Sequence, residues 1–143
     1  MKLPIIGLML GLIAAQPAIA APLALLQPAA RLDAETLEAA RFDWKSAGLG
    51  YVGVWAHDAA SCALIDTAPY DGFRIITPTA IASYASTCSI ERSEKTSDGF
   101  ALSGICEGEG ERNPTVTQIR IIDDETINQD DADGDLVRCH LPD

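Results

Sequence analysis

The amino-acid sequence predicts a mainly β fold: a small antiparallel meander or barrel of about seven or eight short strands, with one N-terminal helix and two disulfides. Three observations carry the expectation. Cys62, Cys88, Cys106 and Cys139 follow an export signal, and an even cysteine count in an exported domain reads as a disulfide framework. After Gly50 the chain becomes a series of short apolar or alternating runs separated by Gly, Pro, Asn and Asp, the punctuation of hairpins. Once the signal is removed, about 120 residues remain, room for one domain with a modest core and not for two.

The signal occupies residues 1–20. Lys2 supplies the positive end, Ile5 to Ala15 is apolar and uncharged, and Ala18-Ile19-Ala20 places small residues where a signal peptidase cuts. The apolar stretch is too short to span a bilayer as a helix, and Pro17 interrupts its continuation. No cysteine stands near the cleavage site to take a lipid. The sequence therefore predicts a mature protein without a membrane anchor, periplasmic or secreted. The full chain carries a formal net charge of −11, and its Lys and Arg residues are scattered rather than clustered. Such a surface repels phosphates, which excludes nucleic acid and anionic membrane as partners and suits a basic protein or peptide.

Residues 21–32 are Ala, Pro, Leu and Gln with almost no charge and read as a flexible linker without structure. Residues 33–48 read as the helix: Asp33 caps it, Glu35 lies in its first turn, Leu37, Ala40 and Trp44 recur at helical spacing, and Gly48 stops it. The β domain covers residues 51–143. Strands are expected near Tyr51 to His57, Ala63 to Asp66, Phe73 to Thr77, Ala82 to Arg92, Phe100 to Glu107, Thr115 to Ile122, Glu125 to Gln129 and Asp135 to His140. Turns are signalled at Pro69 to Gly72, Ser97 to Gly99, Asn113-Pro114 and Asp133-Gly134, and Pro78 after Thr77 has the chemistry to start one helical turn.

Four cysteines allow three pairings, and geometry ranks them. Cys88 and Cys106 fall on consecutive strands of one hairpin. The Asp98-Gly99 turn signal lies slightly beyond its midpoint, so aligning the sulfurs calls for a bulge. Cys62 then meets Cys139, which joins the first and last strands and pins closure of the barrel. Reactive thiols and a zinc site are disfavoured, because no C-x-x-C occurs and the spacings are wide.

Other chemistry is sparse, and no catalytic residue and no cofactor are assigned. His57 and His140, with Asp58, are weak metal-ligand candidates, because closure of the barrel draws their neighbourhoods together. Ser61, His57 and Asp58 sit too close along the chain to converge as a hydrolase triad, and no G-x-S-x-G elbow is present. Asp131, Asp133 and Asp135 superficially offer a calcium loop. If Gly134 takes the sixth position, however, Gln129 and His140 fall where carboxylates are needed. Glu107-Gly108-Glu109-Gly110-Glu111 reads as a mobile acidic loop.

Gly53-Val54-Trp55 resembles the G-x-W signature that opens lipocalin-type barrels, which implies that the Trp packs across the closed end. With Cys62 a few residues on, the opening is also similar to the small periplasmic proteinase inhibitors of Gram-negative bacteria. More broadly, Gly53 to Cys139 resembles small exported four-cysteine proteins of Gram-negative bacteria, a likeness that carries no mechanism. The expectation for function is an exported, non-enzymatic binding or inhibitor-like module. The alternatives are a small periplasmic hydrolase or metal-dependent enzyme, and a structural accessory of the envelope.

Overall fold

The computed structural model describes residues 23–66 and 72–143. The predicted signal, residues 21 and 22 of the predicted linker, and Pro69, Tyr70 and Asp71 of the predicted turn lie outside the described residues. Eight strands follow in chain order: β1 (Gly53–Ala56), β2 (Arg74–Ile76), β3 (Ala80–Ser83), β4 (Ser86–Lys95), β5 (Gly99–Gly108), β6 (Glu111–Asp123), β7 (Thr126–Gln129) and β8 (Asp135–Cys139). Each pairs antiparallel with the next, and β8 returns to β1, so the meander closes into a barrel. Closure removes most of the free edges that a sheet of this length would otherwise expose.

Alternation along the strands sends one set of side chains inward. Tyr51, Trp55, Ile76, Ile81, Phe100, Leu102, Ile119, Ile127 and Leu136 fill the interior, and the Tyr51 and Phe100 rings meet edge to face at 4.8 Å. Burial of side chains of this size stabilises by about 1.5–3 kcal/mol each. A second apolar cluster lies outside the wall, where Leu26 and Ala39 cover Val54, Ala56, Phe73 and the Cys62–Cys139 bridge. The predicted helix forms in two pieces, α1 (Ala34–Arg41) and α2 (Trp44–Ala47). Asp33 caps the first by accepting from the Thr36 N–H at 2.8 Å, worth about 1 kcal/mol. Asp43 caps the second through the Ser46 N–H at 3.3 Å, and Gly48 ends it at φ 68°, a conformation that favours glycine. The break at Phe42–Asp43 lets α1 lie on the outer face of β1 and β2 while α2 turns over the barrel end.

Both predicted disulfides are present, Cys62–Cys139 and Cys88–Cys106. Cys88 and Cys106 stand directly opposite each other, and the offset turn is absorbed by a register shift between Ile90 and Arg92.

Four local expectations differ. Ala63 to Asp66 is not a strand: Ala60–Leu64 is a 3-10 helix, begun by Asp58, whose carboxylate accepts from both the N–H and the hydroxyl of Ser61 at 2.8 Å. The apolar run there is too short for periodicity to separate the two conformations. Ala82 to Arg92 is two strands divided by a turn at Tyr84 and Ala85. Asn113-Pro114 lies inside β6, where proline is tolerated because its missing N–H faces away from β5. The segment read as a flexible linker packs from Ala24 onward. Leu26 is buried, and the backbone bonds Leu26 N–H to His140 O and His140 N–H to Ala24 O, both 2.7 Å, lay it beside the end of β8.

Candidate functional site

The barrel has two unlike ends. The sealed end gathers the start of β1, the β4–β5 hairpin, the β6–β7 turn and α2. At its centre lies Arg138, only 4% exposed. The alternation Leu136-Val137-Arg138 on β8 puts Arg138 on the inner face with Leu136, and Trp55 is its cross-strand partner on β1. Its guanidinium donates to three backbone carbonyls, Val52 at 2.7 Å, Gly50 at 2.9 Å and Asp124 at 2.9 Å. The faces of Trp44 and Trp55 flank it at 4.1 and 4.3 Å from the ring centroids. Burial lowers its pKa to about 10, against the opposing pull of Glu125 and Asp124, so it stays cationic at neutral pH. The Trp55 indole N–H donates to Tyr51 O at 2.9 Å. This cluster ties α2, β1, β8 and the β6–β7 turn together, with each guanidinium nitrogen donating to a backbone carbonyl.

The same cluster explains Gly53. A Cβ at this position would lie 2.5 Å from Arg138 Nη1, on a backbone at φ 156°. Since Arg138 is held between two rings, it has no room to withdraw. Gly53→Ala is therefore expected to cost about 2–3 kcal/mol, measured as a lower urea midpoint at unchanged m-value.

The open end gathers the 3-10 helix, the β3–β4 turn, the β5–β6 hairpin and the β7–β8 turn. Strands β5 and β6 run 10 and 13 residues, while β7 has 4 and reaches only Ile119 of β6, so the β5–β6 hairpin runs past β7 as a flap. Its tip is a tight two-residue turn with Glu109 at φ 52° and Gly110 at φ 79°, the geometry of a hairpin and not of a loose loop. Glu107, Glu109 and Glu111 are exposed around it, and Asp130, Asp131, Asp133 and Asp135 are exposed at the β7–β8 turn. Seven exposed carboxylates thus stand at this end, of which Glu107 lies 3.3 Å from Arg112.

The predicted metal candidates do not gather. His140 pairs with Glu125, Nε2 to Oε2 2.5 Å, near the sealed end. His57 stands exposed beside Asp58, past the other end of β1. The register Val54 to Cys139 and Ala56 to Val137 separates the two histidines by four residues along the seam, roughly 13 Å. The Asp58 carboxyl lies below its ordinary pKa because the Ser61 hydroxyl and amide bond to it, with His57 adding a smaller pull. Asp58 and Ser61 thus form a helix cap rather than a base and nucleophile. Asp135 accepts from the Asn128 amide at 3.1 Å, and Asp131 accepts from Gln129 Nε2 at 2.6 Å and lies 3.9 Å from the Arg74 guanidinium. These carboxylates brace a hairpin turn while remaining exposed to solvent, and they do not converge on a metal-holding group. Among the described residues, no three His, Cys, Asp or Glu side chains form a metal-holding group.

Two features escaped the sequence reading. Arg138 looked like one scattered cation next to a cysteine, although its place on the Leu136 face of a strand was a usable signal. Gln129 is 2% exposed, and its Oε1 has no partner among the described residues. With the largely buried Arg74 it makes the interior polar toward the open end, where the opposite part of the interior is apolar. Comparison with protein-family models, with curated proteins and with solved structures finds no match for this chain.

Proposed function

We propose that the protein is an exported, periplasmic or secreted binding module, inhibitor-like and non-enzymatic, whose partner is a basic protein or peptide met at the acidic open end. The observation that carries this reading is the division of labour between the two ends. At the sealed end Arg138 is held between Trp44 and Trp55 and bonded to backbone carbonyls, whereas the carboxylates of the open rim face solvent on a covalently braced scaffold. A rim of one sign raises the association rate and selects for opposite charge more than it adds raw affinity. Filling of the apolar part of the interior by large side chains favours surface recognition over a small ligand held inside. Two disulfides, and no helix among the described residues long and apolar enough to cross a membrane, accord with export. The likeness of Gly53-Val54-Trp55 and Cys62 to the openings of periplasmic proteinase inhibitors points the same way.

The test is capture of cationic lysozyme-like and protease-like enzymes by the mature protein, titrated from low to physiological salt. Binding that weakens steeply with salt is expected. Absence of capture at low salt removes the reading. His57→Ala with His140→Ala is expected to leave binding unchanged; loss of bound metal or of turnover in that variant would favour an enzyme instead.

A further inference from the structure

Strand β6 is paired along its whole length with β5, but β7 covers only its last part, from Ile119 to Asp123. One further bond, Asp130 N–H to Gln118 O at 3.1 Å, ends the contact. Among the described residues, Glu111 to Thr117 has no strand on that side. The direction of its backbone groups follows from two bonds. Gln118 O points toward β7, and the Ile121 N–H points the other way, to Asp98 O at 2.8 Å. The β5–β6 register is unbroken from Gly99–Arg120 to Gly108–Glu111. The two-residue period therefore directs the N–H and C=O of Arg112 and Val116, and the C=O of Pro114, outward into solvent. Val116 is 53% exposed on the outer face beside them.

On the inner face of the same flap, a recess of about 300 Å³ is lined by Ser86, Cys106, Glu109, Glu111, Asn113 and Thr115 among others. An open strand edge beside a recess is the arrangement that β-augmentation uses: the backbone supplies affinity, and alternate side chains enter pockets. The recess carries two carboxylates, and the β7–β8 turn, which meets β6 at Gln118, carries exposed Asp130, Asp131, Asp133 and Asp135, so the entering side chains should be cationic. The other long strand does not offer this. The outer edge of β4 beyond Ile90 is bulged and carries the charged Arg92–Glu94 pair, 3.3 Å apart, both features that discourage strand addition. Pairing of two copies is disfavoured at β6 as well, since antiparallel pairing about Pro114 would leave both central positions without an N–H.

We propose that the Glu111–Thr117 edge of β6 accepts an extended segment bearing lysine or arginine by strand addition, with alternate basic side chains entering the recess at Glu109 and Glu111. The inference rests on the reading of the protein as a binding module for a basic partner and names where that partner docks.

The probe is an end-capped octapeptide of alternating lysine and threonine, added to the mature protein at low salt. Its addition is expected to protect the Arg112 and Val116 amides from hydrogen exchange. Val116→Pro removes an outward N–H that β5 does not use, and is expected to weaken the peptide at least about tenfold while the thermal midpoint holds. Glu109→Gln with Glu111→Gln is expected to weaken it through the recess, again without loss of fold. Absence of peptide binding, equal affinity for Val116→Pro, or protection confined to other strands would overturn the edge. Protection of the same amides by raised protein concentration alone would assign the edge to self-pairing and overturn the proposed occupant. If cationic enzymes are still captured while Val116→Pro has no effect on them, only the edge fails and the binding reading stands. If nothing cationic is captured at all, the binding reading itself fails.

Discussion

Replacing Arg138 by methionine is expected to cost about 3–4 kcal/mol, the larger part from groups left behind rather than from the charge removed. Two effects compete at this position. Taking a guanidinium out of water is costly, as its lowered pKa of about 10 records, and replacing buried charged groups with apolar residues is neutral or stabilising in some proteins. Here, however, the acceptors are backbone carbonyls that stay in place. The bond to Val52 O is buried and those to Gly50 O and Asp124 O are part-buried, so water can rescue two of them at most. An orphaned buried acceptor costs about 1–3 kcal/mol, and the desolvated contacts with Trp44 and Trp55 add about 2 kcal/mol. Urea unfolding followed by tryptophan fluorescence reads both effects, because each indole reports on the cation between them. Arg138→Lys should recover only part of the loss, since an ammonium cannot reach three divergent carbonyls while lying flat between two rings. A cost under about 1 kcal/mol for the methionine variant would show that the cluster is not what fastens α2 to the barrel.

The second large effect belongs to the bridge at the seam. Cys62–Cys139 closes a sequence separation of 77 residues and Cys88–Cys106 one of 18. On the chain-entropy argument, removal of the first by a double alanine substitution costs about 4–5 kcal/mol and removal of the second about 3 kcal/mol. The longer bridge also joins the 3-10 helix to the strand that pairs with β1, so its loss loosens the β1–β8 seam as well as enlarging the unfolded ensemble. Urea midpoints of the two double variants give the order directly. A hairpin variant less stable than the seam variant would contradict it.

The barrel was legible in the sequence because its evidence is local: alternation, turn residues and cysteine spacing each act over a few residues. Where one of these failed, the reading failed with it. Tyr84-Ala85 turns the chain without Gly, Pro, Asn or Asp, so β3 and β4 looked like one strand. Pro114 carried a turn signal that the unpaired side of β6 made harmless. Ala24 to Leu32 lacks periodicity, and what orders it is contact with the outside of β1 and the end of β8, which no local pattern records. The site was less legible for the same reason. Arg138 bonds to Gly50 and Val52 across more than eighty residues, and the open edge of β6 exists only because β7 stops early. Acidic residues in a turn were visible, but what they face was not.

The seam bridge has a topological consequence. Its two sulfurs turn everything from Cys62 to Cys139 into one covalent hoop that contains seven of the eight strands, with the hairpin bridge nested inside it. A single cut in the backbone anywhere along that hoop separates no fragment; it converts a ring into an open chain still tied at the cystine. Only the arm ahead of Cys62, which carries α1, α2 and β1, and the four residues after Cys139 lie outside the hoop and can be clipped away. For a protein proposed to meet hydrolytic enzymes face to face, a nicked molecule would remain a single body.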